Sequence, residues 1–257
     1  MPQQKETFAS LLNAFTYRYD LRSVFEDFLT MAMCAVTQIP GEGKAHYEDL
    51  YLSAIAKYKD DELRHHFPKL FGCLVTEMEN RVNDARGNDI LGECYEQNFS
   101  KKNSGQFFTP YPICLFMAQS ICNDAREDSE VKRVIDPSCG SGRTLLASAK
   151  TTGSHNQYYG IDIDHTCVKM TALNLFLNGV FRSEVMCADA LWPDNFTISY
   201  KISFFPLGIF RIEKKEASPL WQMYKTSFEK DARPKEAIQF IADDNTPMLA
   251  GMQLNLF

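Results

Sequence analysis

The run Val134-Ile135-Asp136-Pro137-Ser138-Cys139-Gly140-Ser141-Gly142 constrains the fold more tightly than any other part of the chain. Apolar residues stop at an acid and a proline, a glycine-rich turn follows, and Arg143 to Ala149 reads as a helix. Glycine has no Cβ, so the backbone can turn sharply and let a ligand approach. The helix that opens there presents N–H groups without intrahelical partners to a polar or negative group. This is a strand–loop–helix cradle for something with an adenosine-like part. Downstream, Tyr158 to Asp164 is a second strand ending in acids, Thr166 to about Leu177 a helix, and Val185 to Ala190 a third strand. Such alternation predicts parallel βαβ units.

The first hundred residues read differently. Leu21, Val24, Phe25, Phe28, Leu29 and Ala32 recur at helical spacing, and one helix is expected from Tyr47 to about Phe67. Pro40-Gly41-Glu42-Gly43 separates helices, and Pro68 is placed to begin another. Tyr111 to about Cys122 is a further helix. Past Trp192 the pattern weakens to a strand at Thr197–Phe205, a short helix at Ala217–Phe228 and a polar tail. The expected division is a helical domain at 1–100, an α/β core at 101–230 and a flexible tail at 231–257.

The net charge of −6 belongs to the N-terminal part. Residues 1–100 carry 10 Lys and Arg against 16 Asp and Glu; residues 101–257 carry 17 of each. No strongly basic face stands out, which speaks against tight unaided binding to nucleic acid. The eight cysteines form no C-x-x-C pair and have no histidines at zinc spacing, so no metal site is expected. No signal peptide or membrane-spanning run is read, and scattered thiols suit a reduced cytoplasm.

Gly105-Gln106-Phe107-Phe108-Thr109-Pro110 lies upstream of the glycine loop, after the lead-in Gly87-Asn88-Asp89-Ile90-Leu91-Gly92-Glu93. Together with the Asp-Pro-x-Cys-Gly-Ser-Gly loop and the two later acidic strand ends, this order resembles the S-adenosylmethionine-dependent N6-adenine DNA methyltransferases. The likeness is strongest to the modification subunits of type I restriction systems and covers roughly residues 87 to 192. It implies a Rossmann-like methyltransferase core, S-adenosylmethionine as cofactor, DNA as partner, and a specificity or restriction subunit as companion. By resemblance, Asp136, Ser138, Cys139, Gly140 and Gly142 hold the amino-acid part of the cofactor, with Asp136 near its ammonium. Asp162, 26 residues further on at a strand end, can accept from both ribose hydroxyls, as in dinucleotide folds. Ile163 follows it, and neighbouring Asp164 looks like a helix N-cap. Asp189, followed by Ala190, matches the position that accepts from the cofactor's adenine amino group. Phe107, Phe108, Thr109 and Pro110 close the other side, one of the two rings being core and the other a contact.

The resemblance breaks after the fourth strand. The family reads Asn- or Asp-Pro-Pro-aromatic there, whose side chain and a backbone carbonyl orient the target amine while its ring stacks on the flipped base. This chain has Ile202-Ser203-Phe204-Phe205-Pro206-Leu207-Gly208-Ile209-Phe210, and Asp194-Asn195-Phe196 falls before that strand. No catalytic residue is assigned. Two other readings follow: an inactive methyltransferase-like binding or assembly module, and a methyltransferase for RNA or protein. Finally, Gln253-Leu254-Asn255-Leu256-Phe257 resembles the short peptides that dock on the bacterial DNA sliding clamp, through Gln253, Leu254, Leu256 and Phe257.

Overall fold

The computed structural model of the chain describes residues 6–38, 42–99, 107–121, 131–204 and 207–231. The N-terminal part is helical: α1 (Phe8–Asn13), α2 (Leu21–Ala35), α3 (Glu42–Ile55), α4 (Asp61–Arg64), α5 (His66–Asn80), α6 (Ile90–Asn98) and α7 (Tyr111–Ile121). A Thr7–Ser10 capping box starts α1, and the Asp20 carboxylate accepts from Ser23 N to start α2. The single helix expected at 47–67 is broken. After Ile55 the chain turns so that Tyr58 points inward and donates to buried Asp27 at 2.8 Å, and Asp60 then caps α4. Pro68 sits in the first turn of α5, where its missing N–H costs no helix bond.

From residue 133 the chain alternates: β1 (Arg133–Asp136), α8 (Arg143–Thr152), β2 (Gln157–Asp162), α9 (His165–Leu177) and β3 (Ser183–Cys187). These three strands are parallel, as the pattern predicts. The expectation of a parallel sheet stops there. β4 (Ile198–Ile202) and β5 (Ile209–Ile212) add antiparallel, giving one five-stranded sheet in the order β1-β2-β3-β4-β5. The reason is connection length: residues 188–197 contain no helix, and a parallel return needs a crossover long enough to span the sheet. A short 3-10 turn at Lys215–Ala217 leads to α10 (Pro219–Asp231).

Side chains alternate across the sheet, so each face has its own core. Tyr158 and Val185 join Leu145, Val168 and Leu173 of α8 and α9 in a core that runs on without interruption to Phe8, Phe25 and Leu29 of the N-terminal helices. On the opposite face, Ile161, Met186 and Ala188 pack on Leu220 and Trp221 of α10. The outer strand β5 is also held by the helical part. Ile209 N donates to Thr37 Oγ1 at 3.1 Å, and Arg211 N donates to the Tyr47 hydroxyl at 2.6 Å. Among the described residues no helix is long and apolar enough to cross a membrane. From residue 232 onward the expected tail lies outside the described residues, and with it the Gln253–Phe257 peptide.

Candidate functional site

Parallel strands bring their carboxyl ends to one side, where an open α/β sheet receives ligands. Here β1 ends at Asp136 and the chain passes through two glycines at positive φ, Gly140 (56°) and Gly142 (88°), before entering α8. Gly142 is the N-cap of that helix, so the N–H groups of its first turn face outward from the loop. A Cβ on Gly140 would lie 2.7 Å from Phe108 Cδ1, so the phenylalanine ring rests directly on the loop. Among the bonds that set the loop's shape, Cys139 N donates to Ile161 O (2.9 Å), Gly142 N to Cys139 O (2.8 Å), and Thr171 Oγ1 to Gly140 O (2.8 Å).

Asp162 connects the second strand to the loop. Its Oδ2 accepts from Gly140 N and its Oδ1 from Asp164 N, both at 2.9 Å. Burial raises its pKa above the usual carboxylate value; the two backbone donors pull it down, and the charges of Asp164 and Asp136 add to the rise. Burial raises Asp136 too, against the pull of Ser138 N and the Thr144 hydroxyl. Asp164 is the N-cap of α9, accepting from Thr166 N at 2.8 Å, as its position suggests. Between loop and second strand lies a cavity of about 540 Å³ whose walls include Phe107, Phe108, Thr109, Ser138, Cys139, Gly140, Asp162 and Ile163. Phe107 and Ile163 stand 77% and 76% exposed at its rim, whereas Phe108 lines it while packed against the core.

Not every predicted residue lines this cavity. Asp136 faces an adjoining groove of about 710 Å³ between β1 and α7, which shares Thr109, Ser138 and Thr144 with it. Gly142 sits behind the loop as a cap, and Pro110 is exposed just before α7. Asp189 and Ala190 lie beyond β3 on the same end of the sheet; the Asp189 carboxylate accepts from Leu191 N at 2.8 Å. The turn that follows β4, including Ser203 and Phe204, lies at the other end: antiparallel β4 finishes at Ile202, opposite Ser183 at the start of β3. Ser203 and Phe204 are therefore held away from the cradle; Phe205 and Pro206 lie outside the described residues. A larger open groove of about 870 Å³ occurs at this far end, over buried Glu184, whose carboxylate is saturated by Ser199, Ser218 and Leu220 N and so serves the fold.

Sequence reasoning missed the helix that assembles the walls. The N-cap of α6, Asp89, is 1% exposed and accepts from Gly92 N, Ser141 Oγ, Arg143 Nε and Asn174 Nδ2 at 2.5–2.8 Å. Burial would depress the Arg143 pKa, but the charges of Asp89 and Glu96 overcome it and raise it. Tyr95 donates to Asp164 at 3.0 Å and stacks on Phe108 with centroids 5.7 Å apart. The lead-in around Gly87–Glu93 carried the only signal, and it did so by resemblance.

Residues 86–223, more than half of the chain, match the family model described as N-6 DNA Methylase. Among curated relatives, the type I restriction enzyme MpnII methylase subunit of Mycoplasma pneumoniae is 26% identical over 171 residues, covering 62% of this chain and 31% of the relative. The EcoEI methylase subunit of Escherichia coli is 26% identical over 130 residues, 42% of this chain and 26% of the relative. The MjaVII methylase subunit of Methanocaldococcus jannaschii is 30% identical over 105 residues, 37% and 17% respectively. The chain thus spans less than a third of the length of these relatives, and no solved structure matches it. With this match over the glycine loop, both later strand ends and the helix that clasps them, the chain belongs to the N-6 DNA methylase family.

Proposed function

We propose that the chain binds S-adenosylmethionine at the carboxyl end of its sheet and takes part in methylation of adenine N6 in DNA. The observation that carries this is Asp162, a half-buried strand-end carboxylate tied to the glycine loop through Gly140 N and lining the cavity. The cavity's size suits a nucleoside-sized ligand, since such pockets run about 300–1,000 Å³. The residues present suit the cofactor: two half-buried carboxylates for its cationic and hydroxyl groups, backbone N–H groups at a helix start, and exposed apolar side chains for a purine ring. In this reading Asp136, Ser138, Cys139, Gly140 and Gly142 surround the amino-acid part, Asp162 the ribose, Ile163 one adenine face, and Asp189 and Ala190 the adenine edge. Phe107, Phe108, Thr109 and Pro110 form the facing wall and exclude water. When bound, the cofactor supplies an electrophilic methyl group. What this chain contributes is position and an acidic floor, and positioning of this kind carries much of a group-transfer rate. We also read residues 1–100 as a helical domain packed onto a Rossmann-like core at 101–230, acting in the cytoplasm.

A second reading rests on one observation. The turn after β4, where an amine-orienting element is expected, lies at the opposite end of the sheet from the cavity. A chain of this kind would bind cofactor but serve as an assembly module or rely on a partner subunit; the relatives are named as subunits. Transfer of labelled methyl to unmethylated genomic DNA, followed by nucleoside analysis, separates the two. N6-methyladenine in the product supports the first reading; none, from protein that binds cofactor, supports the second. Asp162→Ala is expected to abolish calorimetric binding of S-adenosylmethionine, and unchanged affinity would refute the site.

A further inference from the structure

Glu96 joins the segment before α7 to the start of α8. Its Oε1 accepts from the backbone N–H of Phe108 at 3.0 Å, and its Oε2 accepts from Arg143 Nη2 at 2.7 Å. Arg143 is the first residue of the helix that follows the glycine loop, and its Nε is already committed to Asp89 at 2.6 Å. Phe108 is held from three directions: Tyr95 stacks on its ring, the Arg143 guanidinium lies 5.6 Å from its centroid, and Gly140 lies beneath it. Every one of those contacts fixes the ring. Glu96 fixes the backbone, and with Tyr95 and Asp89 it makes helix α6 a common support for the wall 107–110 and the loop 138–142, Glu96 being the one of the three that bonds to both Phe108 and Arg143.

We propose that Glu96 is a positioning residue that sets the width of the cofactor cavity by tying the Phe108 backbone to Arg143. This rests on the cavity being the cofactor site. Glu96 is not among the residues lining the cavity, so its effect passes through Phe108 and Arg143. The carboxylate is needed for both bonds at once, because a glutamine has one acceptor oxygen and turns an N–H pair toward the other donor. Glu96→Gln therefore keeps the volume and breaks the bridge.

The test uses the full chain in three forms, wild type, Glu96→Gln and Phe108→Ala, with the double variant to close a thermodynamic cycle. In the ligand-free proteins, amide hydrogen exchange is read over residues 108–111, where Phe108, Thr109 and Tyr111 carry an N–H and Pro110 none, and, as an internal reference, in α9. Glu96→Gln is expected to speed exchange at 108–111 while leaving α9 protected. S-adenosylmethionine binding is then measured by calorimetry. Glu96→Gln should weaken it about tenfold, the factor carried by one lost charge-assisted hydrogen bond. The double variant should lose less than the sum of the two single losses, since Glu96 acts on the cavity in part through the position of the Phe108 ring. Unchanged exchange at 108–111, or additive losses in the cycle, overturns the proposal. If wild type binds no cofactor while Glu96→Gln still frees 108–111, the bridge stands and the cofactor reading fails.

Discussion

At the scale of single residues the site is dominated by the cost of burying carboxylates. Asp136 and Asp162 both have pKa values raised by burial above the ordinary 3.8. A raised folded pKa contributes stability that is fully present below 3.8 and is lost as pH rises through the folded value. The site therefore disfavours the charged form of both groups, and a cationic ligand offsets that penalty. Cofactor affinity is expected to fall on acidification as these groups take up protons, with the decline setting in above pH 3.8. Calorimetric titrations stepped downward from neutral pH check this, and an affinity independent of pH would remove Asp162 from the site. Gly92 shows a different residue-scale constraint: a Cβ there would overlap Asp89 Oδ2 and Ser141 Oγ, so only glycine lets α6 approach the loop.

Among the elements, α6 and β5 carry the most information about how the parts are joined. The side chains of α6 reach partners 47, 52 and 54 residues away in sequence or more, which is why their role was not legible before folding. Periodicity reports which face of a helix is apolar; it says nothing of which distant loop a polar side chain meets. β5 pairs with β4 on one side, and on its outer side its backbone is satisfied by Thr37 and Tyr47 of the helical part rather than by another strand. Tyr47→Phe removes the acceptor of Arg211 N and a donor to Ile209 O. The expected loss is about 1–2 kcal/mol, the range for leaving a partly buried backbone group unpaired. Urea denaturation measures it, and a loss below a few tenths would mean water replaces the tyrosine.

For the whole molecule, the decisive fact is that one apolar core extends from Phe8 through Leu173 to Ile209. Removing residues 1–99 would expose the outer surface of α9 and the edge β5 together. A protein comprising 100–257 is expected to lack fixed tertiary structure, seen as a lost near-ultraviolet circular dichroism signal; a native-like spectrum would show the two parts to be independent. The glycine loop, the alternating strands and helices, the Asp164 cap and the acidic strand ends were all readable from the sequence by itself. Each depends on neighbours within a few residues: a glycine's freedom, a cap's reach, a period of two or of 3.6. Tertiary structure alone decided that β4 returns antiparallel, that its following turn faces away from the cradle, and that Asp89, Tyr95 and Glu96 hold the cavity walls. Those outcomes depend on connection length and on contacts between residues far apart in the chain, where burial and geometry rather than local preference set the energy.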